Sequence, residues 1–201
     1  MKGRIWTVPN QITLLRLGFL PFFLILISYE HYRWALAVLV IAGLSDGIDG
    51  LLARQLNQRS ALGAYLDPIA DKLLLSSSFV ILAFKKEIAW WLTIIVLSRD
   101  ILILVVGAVI ILIFGYRPFP PSLLGKMTTF LQIVLVFTVV LGAAYPNPLL
   151  GSIKQILIYL VATFATVSAF QYSVSIARNL SSPAPPTAKP GPVSDRDNAR
   201  S

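Results

Sequence analysis

Residues 45–72 read SDGIDGLLARQLNQRSALGAYLDPIADK, and this stretch decides the fold. It holds four aspartates, Asp46 and Asp49 three residues apart and Asp67 and Asp71 four apart. Either spacing places a pair on one face of a helix. Apolar runs flank the stretch on both sides, so the pairs fall near the end of one hydrophobic segment and early in the next. The connection between them is short, which predicts antiparallel neighbouring helices and convergence of all four carboxylates. An aspartate inside a membrane span costs roughly 2.5–3.5 kcal/mol, and four cost on the order of 10 kcal/mol before they repel one another. Protonating some of them or binding cations would relieve that cost. Hard oxygen ligands converging in a cavity suit Mg2+ or Mn2+, and two such ions offset four negative charges. Gly50 and Ala53 share the Asp46/Asp49 face, and Gly63 stands one turn before Asp67, so small residues leave room for a bulky ligand or a close helix. Arg54 and Ser60 suit a phosphate and a polar head group. Helix caps and interfacial charge explain one aspartate near a helix end, but poorly explain four at matched spacing.

The rest of the chain supports a bilayer setting. Hydrophobic residues make up 56 % of the 201 and charged residues 13 %, against roughly 25 % charged in soluble domains. Mean hydropathy is +0.76. Without cysteine there are no disulfides, thiolate metal sites or cysteine nucleophiles. The single histidine, His31, lies between Glu30 and Arg33 and reads as a surface residue. The formal net charge of +8 is scattered among apolar runs, which fits lipid head groups and topology control and argues against nucleic acid as a partner.

Six runs approach the length of about 20 apolar residues that a spanning helix needs. They cover Ile12 to Tyr29, Arg33 to Leu52, Leu62 to Phe84, Ile88 to Phe114, Leu123 to Ala144 and Leu149 to Tyr172, the last two parted by the break Pro146-Asn147-Pro148. The expected fold is therefore an all-α membrane protein, with six transmembrane helices in one bundle joined by short loops. The domain covers 1–180, and 181–201, rich in Pro, Ser and Ala, forms a disordered cytoplasmic tail. Six spans put both termini on one side. That side would hold Lys2, Arg4, Arg54, Arg59, Arg117, Lys126, Arg178, Lys189, Arg196 and Arg200, against Arg33, Lys85, Lys86 and Lys154 on the other. The excess points to termini and site in the cytoplasm. Arg16, Lys72 and Arg99 remain within spans. Trp34, Trp90 and Trp91 fall at span ends, as interfacial anchors do.

Asp46-x-x-Asp49-Gly50-x-x-Ala53-Arg54, eight further residues, then Gly63-x-x-x-Asp67-x-x-x-Asp71 resembles the complete signature of the CDP-alcohol phosphatidyltransferase family. Pro9 to Arg16 resembles the family's opening segment. The resemblance implies six transmembrane helices, a homodimer, and two divalent metal ions, Mg2+ or Mn2+, at the cytoplasmic end. By motif position, Asp46 and Asp67 would bridge both metals, Asp49 and Asp71 would each complete one site, and Asp71 would be the general base. Gly50, Ala53, Arg54, Ser60 and Gly63 would contact CDP-diacylglycerol, with Asn10 and Thr13 near the nucleotide. The acceptor hydroxyl would attack the phosphorus esterified to diacylglycerol and release CMP. A bacterial inner membrane is the expected location, because the N-terminus carries no Arg/Ser-rich transit pattern.

The acceptor is less legible. The region near Asn10, residues 57–60 and residues 66–72 resemble the phosphatidylglycerophosphate-synthesising branch, whose acceptor is glycerol-3-phosphate. The same segments, with Ser98-Arg99-Asp100 and Gly125-Lys126, resemble the family's cardiolipin synthases, whose acceptor is phosphatidylglycerol. The expectation leans to glycerol-3-phosphate because that branch is the more widespread. Arg99 and Lys126 are candidates for holding the acceptor phosphate, and the structural alternative for Arg99 is a pairing with Asp100. A transporter or a non-catalytic scaffold is a remote alternative. A cation-flux assay in proteoliposomes without CDP-diacylglycerol separates the transporter from the enzyme.

Overall fold

In the computed structural model the described residues are 8–56, 61–114 and 123–181, with side chains described over 18–45, 72–105 and 123–174. The described residues form six α-helices and no strand: α1 Val8–Ser28, α2 Tyr32–Leu56, α3 Ala61–Phe84, α4 Trp90–Phe114, α5 Leu123–Ala144 and α6 Pro148–Ser181. The expected fifth run matches α5 end to end. The others shift at their ends, and α6 continues past the expected stop at Tyr172 to Ser181. The shortest helix, α1, has 21 residues, or about 31 Å at 1.5 Å per residue, close to the hydrocarbon thickness of a bilayer. Among the described residues, α5 and residues 148–174 of α6 are long and apolar enough to cross a membrane, and the described stretches of α1, α2 and α3 are apolar but shorter. Of the expected tail, 181–201, Ser181 is the last residue of α6 and 182–201 lie outside the described residues.

Local chemistry sets the turns. α1 and α3 end in the same way, with Glu30 at φ 63° and Lys86 at φ 60° in the left-handed region. His31 N–H then donates to Leu26 O at 2.8 Å and Glu30 N–H to Ile27 O at 3.0 Å. In α3, Glu87 N–H donates to Leu82 O at 2.9 Å and Lys86 N–H to Ala83 O at 3.0 Å. This is the Schellman pattern, which satisfies the last carbonyls of a helix and usually has glycine at the left-handed position. At the start of α6, Asn147 Oδ1 accepts from Leu149 N–H at 2.9 Å. Pro148, expected as part of the break, instead opens the helix, because its missing N–H costs nothing in the first turn.

The three short connections lie at one end of the bundle and are tied together there. Lys85 Nζ meets Glu30 Oε1 at 3.0 Å, and Lys154 Nζ meets Glu87 Oε2 at 2.9 Å. The Arg33 guanidinium sits 5.4 Å from the Tyr145 ring centre. Phe84 and Trp90 pack edge to face at 4.9 Å. Trp34, Trp90 and Trp91 are exposed at this end, as expected of anchors.

Across the bundle, α5 pairs with α6 and α4 with α6, while α1 packs on both α2 and α3. Phe23, Ile27, Phe79, Leu82, Leu92, Val96, Leu135, Val139 and Val161 form the core. Around it the surface stays apolar. On α6, Leu149, Ile153, Ile156, Leu160, Val167 and Phe170 are exposed at steps of three, four and seven, while Leu157, Val161, Ala165 and Ser168 face inward. Ser78, Thr93, Thr128, Gln132 and Ser168 are buried instead. An apolar exterior around buried polar groups marks a surface meant for lipid. Among the described residues α1 and α5 each pack against both α2 and α3, and the expected convergence of α2 and α3 falls on residues 46–71, whose side chains lie outside the described residues. The short connection limits its two flanking residues, Leu56 and Ala61, to about 18 Å apart, which does not require contact along the helices.

A left-handed non-glycine residue is strained by roughly 1–2 kcal/mol. Lys86→Gly is therefore expected to leave stability unchanged or raise it by up to about 1 kcal/mol, and Lys86→Val to lower it by about 1–2 kcal/mol. Chemical denaturation in detergent micelles measures both, and a more stable valine variant would contradict this account of the turn.

Candidate active site

Four helices bring polar groups together inside the bundle. α3 supplies Lys72, α4 Arg99 and Asp100, α5 the Gly125 carbonyl and Thr128, and α6 Ser168. Arg99 lies on the inward stripe of α4 with Leu92 and Val96, and Ser168 on that of α6 with Val161 and Ala165. Helical periodicity thus puts a guanidinium and a hydroxyl where the pattern calls for core residues. Arg99 is 5 % exposed and Asp100 6 %.

Arg99 Nη1 donates to Asp100 Oδ1 at 2.6 Å. Arg99 Nη2 donates to Ser168 Oγ at 3.3 Å and to Gly125 O at 3.5 Å. Lys72 Nζ lies 3.7 Å from the same Asp100 Oδ1. Among the described residues one carboxylate therefore answers two cations, and Lys72, Arg99 and Asp100 together carry one excess positive charge. Two of its buried donors, Arg99 Nε and Lys72 Nζ, have no hydrogen-bond partner. Buried donors are normally satisfied, and buried charges normally balanced. A bound anion would do both. Thr128 Oγ1 donates to Leu124 O at 2.8 Å and to Phe164 O at 3.4 Å, closing α5 onto α6 beside the cluster.

Asp46, Asp49, Gly50, Ala53 and Arg54 fall on α2, Gly63, Asp67 and Asp71 on α3, and Asn10 and Thr13 on α1. The side chains of all these residues, and Ser60 entirely, lie outside the described residues. Lys72 follows Asp71 directly, so their Cα atoms are about 3.8 Å apart and the cluster stands at the aspartate-bearing end. The four aspartates are a hard, all-oxygen donor set suited to Mg2+ or Mn2+. The two acceptor candidates part company. Arg99 lies at the centre of the cluster, in the expected alternative pairing with Asp100, whereas Lys126 is exposed on α5. Lys126 precedes the buried Thr128 by two residues, about 200° around the helix, so it turns away from the interior. Sequence reasoning missed Lys72 and Ser168 as partners. Lys72 had a signal, a charge inside an apolar run next to the last motif aspartate, but Ser168 had none.

The described helices thus combine an apolar surface, four aspartates on α2 and α3, and a buried charged cluster of Lys72, Arg99 and Asp100. The chain belongs to the CDP-alcohol phosphatidyltransferase family, whose model matches residues 6–167. It is 41 % identical over 133 residues to a cardiolipin synthase (CMP-forming) of Streptomyces coelicolor, covering 63 % of this chain and 61 % of that one. It is 35 % identical over 185 residues to the human cardiolipin synthase (CMP-forming), covering 83 % of this chain and 60 % of the relative. A Mycobacterium tuberculosis H37Rv protein named "probable phosphatidylglycerophosphate synthase" is 34 % identical over 151 residues, covering 72 % and 71 %. The chain thus spans about three fifths of the length of the Streptomyces coelicolor and human relatives.

Removing Asp100 would leave two buried cations unanswered. Asp100→Asn is expected to destabilise the protein by on the order of 3 kcal/mol. Denaturation in micelles measures this, and a loss below about 1 kcal/mol would mean that solvent already screens the cluster.

Proposed function

We propose that this protein is an integral membrane enzyme that moves the phosphatidyl group of CDP-diacylglycerol to phosphatidylglycerol, forming cardiolipin and releasing CMP. The observation that carries the choice of acceptor is the single excess positive charge of Lys72, Arg99 and Asp100. A phosphodiester carries one negative charge and balances it. A phosphomonoester dianion would leave a buried negative charge, at a cost. The relatives named cardiolipin synthase, one at 41 % identity, support the same acceptor. The relative named for phosphatidylglycerophosphate synthesis, matched over 72 % of this chain, supports glycerol-3-phosphate as the second reading.

Six helices cross the membrane with both termini and the site in the cytoplasm, in a bacterial inner membrane, and two copies form a homodimer. The acyl chains of the donor stay in lipid while its head group enters the aspartate-bearing end. Asp46, Asp49, Asp67 and Asp71 hold two divalent ions. When bound, these ions neutralise the pyrophosphate and stabilise the charge developing on the leaving phosphate. Gly50, Ala53 and Gly63 give the donor room, Arg54 and Ser60 bind its phosphates and head group, and Asn10 and Thr13 lie by the nucleotide. Lys72 Nζ and Arg99 Nε, the two donors without partners, receive the acceptor phosphate. Asp71, adjacent to Lys72, takes the proton from the acceptor hydroxyl. The hydroxyl oxygen bonds to the phosphorus esterified to diacylglycerol, the bond from that phosphorus to the bridging oxygen breaks, and CMP leaves with that oxygen.

CMP release by purified protein in mixed micelles with Mg2+ tests this reading. It is expected with phosphatidylglycerol, to be lost in Asp71→Asn, and to need about tenfold more acceptor in Lys72→Met with the CDP-diacylglycerol KM unchanged. Release with glycerol-3-phosphate alone would install the second reading. No release with either acceptor, from folded protein, would overturn both.

A further inference from the structure

The end of the bundle opposite the aspartates holds a cleft that the transfer reaction does not use. Its volume is about 580 Å3, within the range of about 300–1,000 Å3 typical of small-molecule sites. It is lined by Tyr32 at the start of α2, Glu87 in the α3–α4 turn, Thr138 and Gly142 on α5, and Gly151 and Lys154 on α6. The glycines create the space: a Cβ built on Gly151 meets nothing within 4 Å, and one on Gly142 meets only Leu150 Cβ at 3.7 Å. Two opposite charges stand in the lining, Lys154 Nζ and Glu87 Oε2, 2.9 Å apart. Their side chains are each 28 % exposed, so a ligand can reach both. The lining carries no net charge.

The surroundings indicate what reaches it. Tyr29, Trp34, Trp90, Trp91, Tyr145 and Tyr159 are all exposed around this end. Such a belt of amphipathic rings marks the depth at which lipid head groups stand. The cleft therefore lies at head-group level, in the leaflet opposite the aspartates. A zwitterionic head group matches a neutral lining with one cation and one anion. Its phosphate suits Lys154 and the Tyr32 hydroxyl, and its ammonium suits Glu87. A primary ammonium can donate hydrogen bonds to Glu87, which a quaternary one cannot. An anionic head group without an amine would leave Glu87 facing a like charge.

We propose that this cleft binds the head group of a zwitterionic phospholipid bearing a primary ammonium. The inference rests on the membrane topology proposed above, but not on the acceptor.

The test is native mass spectrometry of the delipidated full-length protein, titrated with phosphatidylethanolamine, phosphatidylcholine or phosphatidylglycerol. Phosphatidylethanolamine is expected to bind about tenfold more tightly than the other two, as one charge-assisted contact implies. Gly151→Leu, which fills the cleft without a clash, is expected to abolish that preference. Glu87→Gln is expected to turn it towards phosphatidylglycerol. Equal binding of the three lipids, or a preference that survives Gly151→Leu, would overturn the proposal. CMP release, measured on the same preparations, reports separately on phosphatidyl transfer and is expected to be unchanged in Gly151→Leu.

Discussion

Asp100 is shared by two buried cations, and the interior arrangement of α3, α4 and α6 depends on that sharing. In a low-dielectric interior a guanidinium needs a carboxylate and further acceptors close by. Arg99 finds them only because Asp100 is its chain neighbour, Ser168 faces it from α6 and the Gly125 carbonyl opens towards it from α5. Lys72, reaching the same carboxylate from α3, leaves the cluster one positive charge in excess. A cluster evolved for stability alone would be balanced, or would have apolar residues in its place. The imbalance and the cluster's two donors without hydrogen-bond partners are what the proposed acceptor site rests on.

The two ends of the bundle solve different problems. At the turn end, ion pairs, a cation–ring contact and edge-to-face aromatics tie all three connections together. These contacts add to the core residues nearest the turns, Ile27, Ala35, Leu82 and Ile88, in holding the helices in register. At the other end stand the helix segments that carry Asp46, Asp49, Asp67 and Asp71. The family match over residues 6–167 takes in α1 to α5 whole and most of α6.

How much of this was legible in the chain differs by level. Helix number and approximate limits followed from apolar run lengths, because backbone groups in an apolar environment must be satisfied within each segment. The helix ends were less legible. α6 overruns its apolar stretch to Ser181, since helix propagation does not stop where hydrophobicity does. Pro148 read as a breaker but opens α6, since proline is damaging only where an N–H is required. A short connection restricts the ends of α2 and α3 and leaves the packing of their flanks to the rest of the bundle.

For the candidate site, residue spacing placed each pair of aspartates on one helix, because i,i+3 and i,i+4 relations are local properties of a helix. The family signature was equally local, a run of fixed residues on two consecutive segments. What the sequence by itself determined is therefore the helical class, the family, and the helix on which each motif aspartate stands. Only the tertiary structure decided which helices touch, that Arg99 faces inward while Lys126 turns out, and that Lys72, Asp100 and Ser168 meet although Ser168 lies 69 residues from Arg99. Rotation of a helix about its own axis, and the choice of its neighbours, are set by packing against distant parts of the chain. No local pattern of charge or hydropathy encodes them.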